Sequence, residues 1–139
     1  QEVAEDRHNP LVVRDFKDFE LLLDYCFVHR PWMPGPLLRH LARRASATCE
    51  HSLVIFDAML YESAPLEDLV DGLTTPALVH WGAEDRVLHP QGAAIIAKAM
   101  PNAQTLVVPD IGHLPMLESP RASAEAWLAF TDQLARGGE

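Results

Sequence analysis

Apolar positions in the first part of the chain recur at helical spacing. Residues 15–28 ("DFKDFELLLDYCFV") place them three and four apart, which predicts an amphipathic helix. The break "RPWMPGP" (30–36) contains three prolines and a glycine and is expected to exclude helix. The helical period resumes over residues 36–62, where we predict two helices that meet near residues 46–50.

The second part alternates short apolar runs with helical segments. Residues 65–73 predict a short helix closed by a glycine, and helices are also predicted at 90–100 and 119–136. The runs "PALVHW" (76–81) and "AQTLVVP" (103–109) are typical of strands buried on both faces of a parallel sheet. The last helix carries an apolar stripe of Ala124, Trp127, Leu128, Thr131 and Leu134. The β-α-β-α order predicts an α/β fold with a right-handed crossover.

Two apolar strands are too few to complete such a sheet, because each would need neighbours at both edges. We therefore expect the missing strands to come from another polypeptide segment, either covalently upstream or in trans. Without that segment, we expect the chain to self-associate through its exposed sheet edge.

Composition narrows the class of protein. The chain has 139 residues, which favours at most one ordinary domain, and its hydrophobic content of 48% is that of a globular protein. The net charge of −9 disfavours a nucleic-acid partner. The basic run "RHLARR" (39–44) is interpreted as a solvated helix face rather than an anion-binding patch.

The two cysteines, Cys26 and Cys49, lie in predicted helices and are interpreted as reduced, buried thiols. No run approaches the roughly 18 apolar residues of a membrane span. The chain opens on the charged stretch "QEVAEDRH" (1–8) rather than on Met or a signal peptide. We expect it to be a processed product, a fragment or an ordered remnant.

An acid and a histidine follow the two predicted strands. Asp85 lies in "WGAEDRVLHP" (81–90) and His113 in "DIGHLP" (110–115). Because the carboxyl ends of parallel strands share one edge of a sheet, both loops should meet there. An Asp that accepts from a His ring orients it as a general base towards a hydroxyl nucleophile. The order acid then histidine fits a hydrolase whose serine comes earlier in the chain.

Other interpretations of these residues are less favoured. Glu84 should face solvent, and Asp110, three residues before His113, is an alternative acid that would have to fold back. A metal site could be imagined from His80, Asp85, His89 and His113. His80 lies within the first strand and no metal-ligand spacing is present, so we expect no metal and assign His80 to the core or to the support of the site.

These motifs resemble the C-terminal end of an α/β-hydrolase. "WGAEDRVLHP" is similar to the acid loop of that family, and "IGHLPMLESP" to its histidine loop, including the glycine before the histidine and the E-x-P after it. The helical part, "NPLVVRDFKDFELLLDYCFVHRPWMPGPLLRHL", resembles the cap of its monoacylglycerol-lipase-like branch. The resemblance implies a cap over residues 1–75 and the C-terminal part of the α/β-hydrolase fold over 76–139.

The resemblance also implies a component that this sequence lacks. The nucleophile elbow of the family, G-x-S-x-G, surrounds none of the five serines. The chain is thus expected to supply Asp85 and His113 to a serine esterase or lipase while the serine lies outside it. No cofactor is needed, and this chain alone should be inactive. The substrate contacts expected from cap and loop positions are Phe27, Trp32, Met33, Leu88 and Leu114.

The partners implied are a small-molecule lipid or ester substrate and the N-terminal half of the same hydrolase. Epoxide hydrolases, haloalkane dehalogenases and C–C bond hydrolases share the acid and histidine loops, so another of these reactions remains an alternative. A further alternative is a non-catalytic interaction domain.

Overall fold

The chain divides into two compact units. The computed structural model describes residues 9–61 and 64–137. Of these, the first unit comprises 9–24 and 32–61, and the second comprises 25–31 and 64–137. The second unit therefore includes residues from both sides of the boundary predicted near residue 75. The charged N-terminal stretch at 1–8 lies outside the described residues.

The first unit is helical. Helix α1 (Phe16–Cys26), whose last two residues are assigned to the second unit, begins after Asp15. The Oδ1 of Asp15 accepts a hydrogen bond from the backbone N–H of Asp18 at 2.9 Å, as in a helix N-cap. Helices α2 (Gly35–Ala47) and α3 (Cys49–Tyr61) follow, and they confirm that two helices meet near residue 48. The buried apolar side chains of this unit are Val12, Val13, Phe19, Leu23 and Ala42.

The second unit is built on a parallel pair of strands. β1 (Ala77–Gly82) pairs with β2 (Ala103–Val108), with Gly82 opposite Val108 at the carboxyl end. Helix α5 (Gln91–Ala99) connects the strands. Because the strands run in the same direction, the loops that follow them leave from one edge of the sheet. The order β1, α5, β2 confirms the predicted β-α-β order.

Four helices accompany this sheet in the second unit. α4 (Leu66–Val70) packs against α5, which in turn packs on both strands. After β2 come α6 (Pro115–Glu118) and α7 (Pro120–Gly137), which pack against each other and against β1. Sequence patterning does not predict α6, because four residues are too few to display a helical period. The buried apolar side chains of this unit are Cys26, Phe27, Ala93, Met100, Ile111 and Phe130.

Two helix boundaries differ from expectation. α2 already begins at Gly35, so the prediction that 30–36 excludes helix is wrong for its last two residues. Pro36 is accommodated in the first turn, where a backbone N–H has no helical partner to lose. The helix predicted at 65–73 ends at Val70, and Gly72 then takes a left-handed φ of 71° that favours glycine.

Burial of the second unit also differs from expectation. Apart from Gly82, β1 is half-buried, and β2 exposes three of its six residues, so neither strand is buried on both faces. On α7, Trp127 and Leu128 are exposed, whereas Phe130 is buried. α7 packs against α6 and β1, and its buried residue is Phe130 rather than a member of the predicted stripe. Cys49 is half-buried rather than buried.

Candidate active site

Asp85 lies in the loop that follows β1 and is buried. Its Oδ1 accepts hydrogen bonds from the backbone N–H groups of Val87 at 2.8 Å and Leu88 at 2.9 Å. Its Oδ2 lies 2.9 Å from Nδ1 of His113. The two backbone contacts form a tight turn that aims the second oxygen at the histidine, and the Asp85 side chain is only 3% exposed.

His113 lies in the loop that follows β2, and its backbone is also fixed. The His113 N–H donates to the carbonyl oxygen of Cys26 at 2.8 Å. An ionised carboxylate can only accept hydrogen bonds, so Nδ1 of His113 donates to Asp85 and the other ring nitrogen, Nε2, is left as an acceptor. This is the tautomer that a general base requires.

A cavity of about 170 Å³ lies beside this pair. It is lined by His80, Trp81, Gly82, Asp85, Leu88 and His113, all in the second unit. Burial lowers the pKa of His80 below its usual 6.5, which favours the neutral ring near neutral pH. The sequence assigned His80 to the core or to a supporting position, and the structure places it half-buried in the wall of the cavity.

The alternative acid has a different partner. Asp110 has a φ of 60° and its Oδ2 lies 2.9 Å from Nε2 of His29. This contact raises the pKa of His29, first through the hydrogen bond and then through the Asp110 charge. Glu84 is exposed, as expected for a carboxylate that faces solvent.

The residues predicted to contact substrate differ in their exposure and in the unit to which they belong. Leu88 lines the cavity and is 52% exposed. In the same unit, Phe27 is buried and Leu114 is half-buried immediately before α6. Trp32 and Met33 belong to the first unit, where Trp32 is exposed and Met33 is half-buried. Contact of these residues with a substrate stays a prediction.

Gly82 allows the histidine loop to approach the end of β1. A Cβ added at Gly82 would lie 2.0 Å from the carbonyl oxygen of Gly112 and 2.3 Å from that of Ile111. The sequence motif included Gly82, but only the fold shows that the histidine loop rests directly on it. The glycine directly after an apolar strand was the available signal.

Sequence reasoning also missed contributions from Glu118 and Cys26. Glu118 accepts a hydrogen bond from the backbone N–H of Gly112 at 2.9 Å, and the E-x-P motif that contains it was the available signal. Cys26 supplies its carbonyl oxygen to His113. Burial, and secondarily the Asp85 charge, raises the pKa of the Cys26 thiol, so the thiolate needed for nucleophilic attack is disfavoured.

Within residues 9–61 and 64–137, no three His, Cys, Asp or Glu side chains converge in a way that could hold a metal ion. Over the same ranges, no helix combines the length and the apolar character needed to cross a membrane.

Known proteins resemble this chain over most of its length. A family model described as alpha/beta hydrolase fold matches residues 29–120. Lipase 1 of Psychrobacter immobilis is 26% identical over 124 residues, which cover 88% of this chain and 39% of that protein. Monoacylglycerol lipase ABHD6 of Homo sapiens is 32% identical over 123 residues, which cover 87% of this chain and 36% of that protein.

A solved structure gives a similar result. The structure of a membrane phospholipase A, described as a bacterial virulence factor, superposes with a TM-score of 0.87 at 35% identity. The match covers 92% of this chain and 41% of that one. The chain thus spans well under half the length of each of these three proteins.

Proposed function

Because the chain belongs to the α/β-hydrolase fold family, we propose that it supplies the acid and the histidine of a serine-dependent lipase or esterase. The observation that carries this proposal is the 2.9 Å contact between Asp85 Oδ2 and His113 Nδ1 at the carboxyl edge of two parallel strands. The lipase relatives favour carboxylic esters as the substrate class.

In the proposed reaction, His113 acts first as a base and then as an acid. A serine hydroxyl attacks the ester carbonyl while Nε2 of His113 takes its proton. The imidazolium then gives that proton to the departing alcohol, which leaves an acyl-enzyme. A water molecule attacks the acyl carbon as Nε2 takes its proton, and collapse of the intermediate returns that proton to the serine and releases the acid. Asp85 orients the ring and stabilises its charged form.

The nucleophile is proposed to come from a second polypeptide segment. No serine of this sequence lies in a G-x-S-x-G motif. The hydroxyls of Ser46, Ser52 and Ser123 donate to the backbone carbonyl oxygens of Arg43, Thr48 and Pro115 respectively, which is a structural use. The N-terminal half of the hydrolase would supply the serine, the oxyanion donors and the remaining strands, either covalently or in trans.

A lipid ester is the proposed substrate, with the helices of the first unit acting as a cap. The chain resembles two lipases and a phospholipase over at least 87% of its own length. Leu88, exposed beside the cavity, offers an apolar surface for an acyl chain. Phe27, Trp32, Met33 and Leu114 are proposed as further contacts in the assembled enzyme.

The test uses the full-length product of the gene that encodes this chain. We expect a fluorophosphonate probe to label it covalently and p-nitrophenyl esters to be cleaved. The rate of labelling and the rate of ester cleavage should both fall by roughly 10⁴-fold or more in His113→Ala, because removal of the base leaves only binding and oxyanion stabilisation. Glu84→Gln is the matched control, since this exposed neighbour of Asp85 should leave labelling unchanged.

The probe distinguishes a serine nucleophile from a carboxylate nucleophile. Epoxide hydrolases and dehalogenases that use a carboxylate nucleophile would remain unlabelled, because fluorophosphonates react with an activated serine. A full-length product that is neither labelled nor able to cleave esters would contradict the proposal, as would full activity in His113→Ala.

A further inference from the structure

Glu118 lies five residues after His113 and holds the histidine loop through its side chain. We propose that Glu118 is a positioning residue, which sets the location of His113 without touching the reacting atoms. The inference rests on the function proposed above. It begins from the carboxylate of Glu118, whose two oxygens accept hydrogen bonds from two separate segments of the second unit.

The contacts of Glu118 join the histidine loop to residues 26–29. Its Oε2 accepts from the backbone N–H of Gly112 at 2.9 Å, and its Oε1 accepts from the backbone N–H of His29. We call Glu118, His29 and Gly112 the Glu118 clamp. One carboxylate thus bridges two backbone groups that lie 83 residues apart in sequence.

The same two segments also touch directly at His113. The His113 N–H donates to the Cys26 carbonyl oxygen at 2.8 Å. A Cβ on Gly112 would lie 2.6 Å from that oxygen and 3.2 Å from Cα of Phe27. On its other side, Gly112 presents its carbonyl oxygen to Gly82 at the end of β1. The peptide before His113 is therefore enclosed between β1 and residues 26–29, and the clamp holds it there.

The local fold fixes the starting point of the Glu118 side chain. The Glu118 N–H donates to the Leu114 carbonyl oxygen at 3.0 Å. This bond forms the single turn of α6, which begins two residues after His113. Pro115 accepts at its carbonyl oxygen from the Ser119 N–H at 2.8 Å and from the Ser123 hydroxyl at 2.9 Å. These bonds tie α6 to the start of α7, so the carboxylate returns to Gly112 from a defined position.

A carboxylate suits this position because it accepts at both oxygens and carries charge. Hydrogen bonds from backbone N–H groups to an ionised acceptor are shorter and stronger than neutral ones. A glutamine of equal length offers one acceptor and one donor, so one of the two N–H groups would face an NH₂ group. An aspartate is shorter by one methylene and would not span both groups.

The kinetic experiment compares variants of the full-length enzyme. We expect Glu118→Gln and Glu118→Ala to lower kcat by about 10- to 100-fold, because a displacement of the base by about 1 Å costs on this scale. KM should be unchanged, since the clamp contacts no substrate. Rates are expressed per active site titrated with the fluorophosphonate probe, which removes any contribution from unfolded protein.

Glu125→Gln is the matched control. Glu125 is an exposed carboxylate on α7 that pairs with Arg121 at 2.9 Å, and its substitution should leave kcat unchanged. A clamp that only stabilised the fold would lower the melting temperature of the Glu118 variants with no change in kcat per titrated site. That outcome, or a loss of equal size in Glu125→Gln, would overturn the proposal.

Amide hydrogen exchange tests the clamp independently of turnover. Glu118→Ala should speed exchange at the N–H groups of Gly112 and His29, whereas exchange in α5 should be unchanged. If the wild-type enzyme cleaves no ester but exchange responds in this way, the proposed function fails while the clamp stands. Unchanged exchange at both groups would show that the clamp itself is wrong.

Discussion

Asp85 satisfies three donors with two oxygens, and this arrangement determines what its replacement would do. One oxygen serves the turn through Val87 and Leu88, and the other serves His113. The turn that precedes α5 therefore orients the second oxygen of Asp85 towards His113. Its neighbour Glu84 is exposed, so substitutions of Asp85 and of Glu84 make a suitable variant and control.

We expect Asp85→Asn to lower kcat of the full-length enzyme by about 10⁴-fold, because an amide NH₂ aimed at His113 favours the wrong tautomer. Steady-state hydrolysis of a p-nitrophenyl ester measures the effect. The fold should persist, since an amide oxygen can still accept from the turn. Activity within a factor of about ten of the wild type would show that another group orients the histidine.

His29 should make stability depend on pH. The Asp110 hydrogen bond and charge raise the pKa of His29 above its usual 6.5, and Glu118 adds to the shift while desolvation opposes it. The stability that the protonated ring contributes is fully present below pH 6.5 and is lost as pH rises through the raised pKa. The urea concentration at the midpoint of unfolding, measured at pH values below 6.5 and above the raised pKa, should show this loss of stability.

Asp110→Asn should remove that part of the pH dependence, because the ring would lose its charged partner. Asp132→Asn, an exposed carboxylate on α7, serves as the control and should retain it. An identical decline in the two variants would show that another group is responsible.

At the scale of elements, the pattern of apolar residues predicts those helices and strands that are long enough to show a period. The periods of 15–28 and 36–62 and the two apolar runs predict the helices and strands within a few residues. The family match confirms the predicted α/β-hydrolase fold class. Residues 115–118 form a helix that no period reveals, and the buried face of α7 depends on contact with α6 and β1. Such features require knowledge of the neighbours.

The candidate site divides in the same way. Parallel topology brings Asp85 and His113 to one edge, so the sequence predicts their proximity without coordinates. Glu118, His29 and the Cys26 carbonyl act through long-range backbone contacts, which leave no periodic trace in sequence. The catalytic roles of Asp85 and His113 stay predictions until the variants are measured.

The close contact between the end of β1 and the histidine loop should tolerate no side chain at Gly82. We expect Gly82→Ala to lower the free energy of unfolding by about 1–3 kcal/mol or more, because the added Cβ would collide with backbone oxygens of Ile111 and Gly112. Chemical denaturation measures the change. Gly137→Ala is the control, since a Cβ there meets nothing within 4 Å. Equal stability of the two variants would contradict the close approach.

At the scale of the whole molecule, the sheet is the incomplete element. In the described residues it has two strands, so each strand has an edge that no other described strand pairs. β2 also exposes Val107, at 45%. Unpaired apolar strands associate with other chains, and we therefore expect the 139-residue chain alone to form oligomers or to be poorly soluble.

A lysine on β2 should weaken this association. Val107→Lys adds charge beside the exposed edge, and we expect light scattering to show a smaller mean mass than for the unmodified chain. Ala135→Lys adds the same charge at an exposed position of α7. It should leave the mean mass of the oligomers, measured by light scattering, unchanged. A monodisperse monomer of the unmodified chain would contradict the expectation.

The tight turn at Asp85 has a consequence for how such an enzyme can change its chemistry. Its acceptor contacts, and the backbone contacts of His113, are made by residues of this chain. Under the proposed function, the acid and the histidine are thus held in place without the segment that carries the nucleophile. Exchanging a serine for another attacking group would not require this part of the site to be rebuilt. Under the proposed function, a change of reaction type would therefore depend on the segment that supplies the nucleophile.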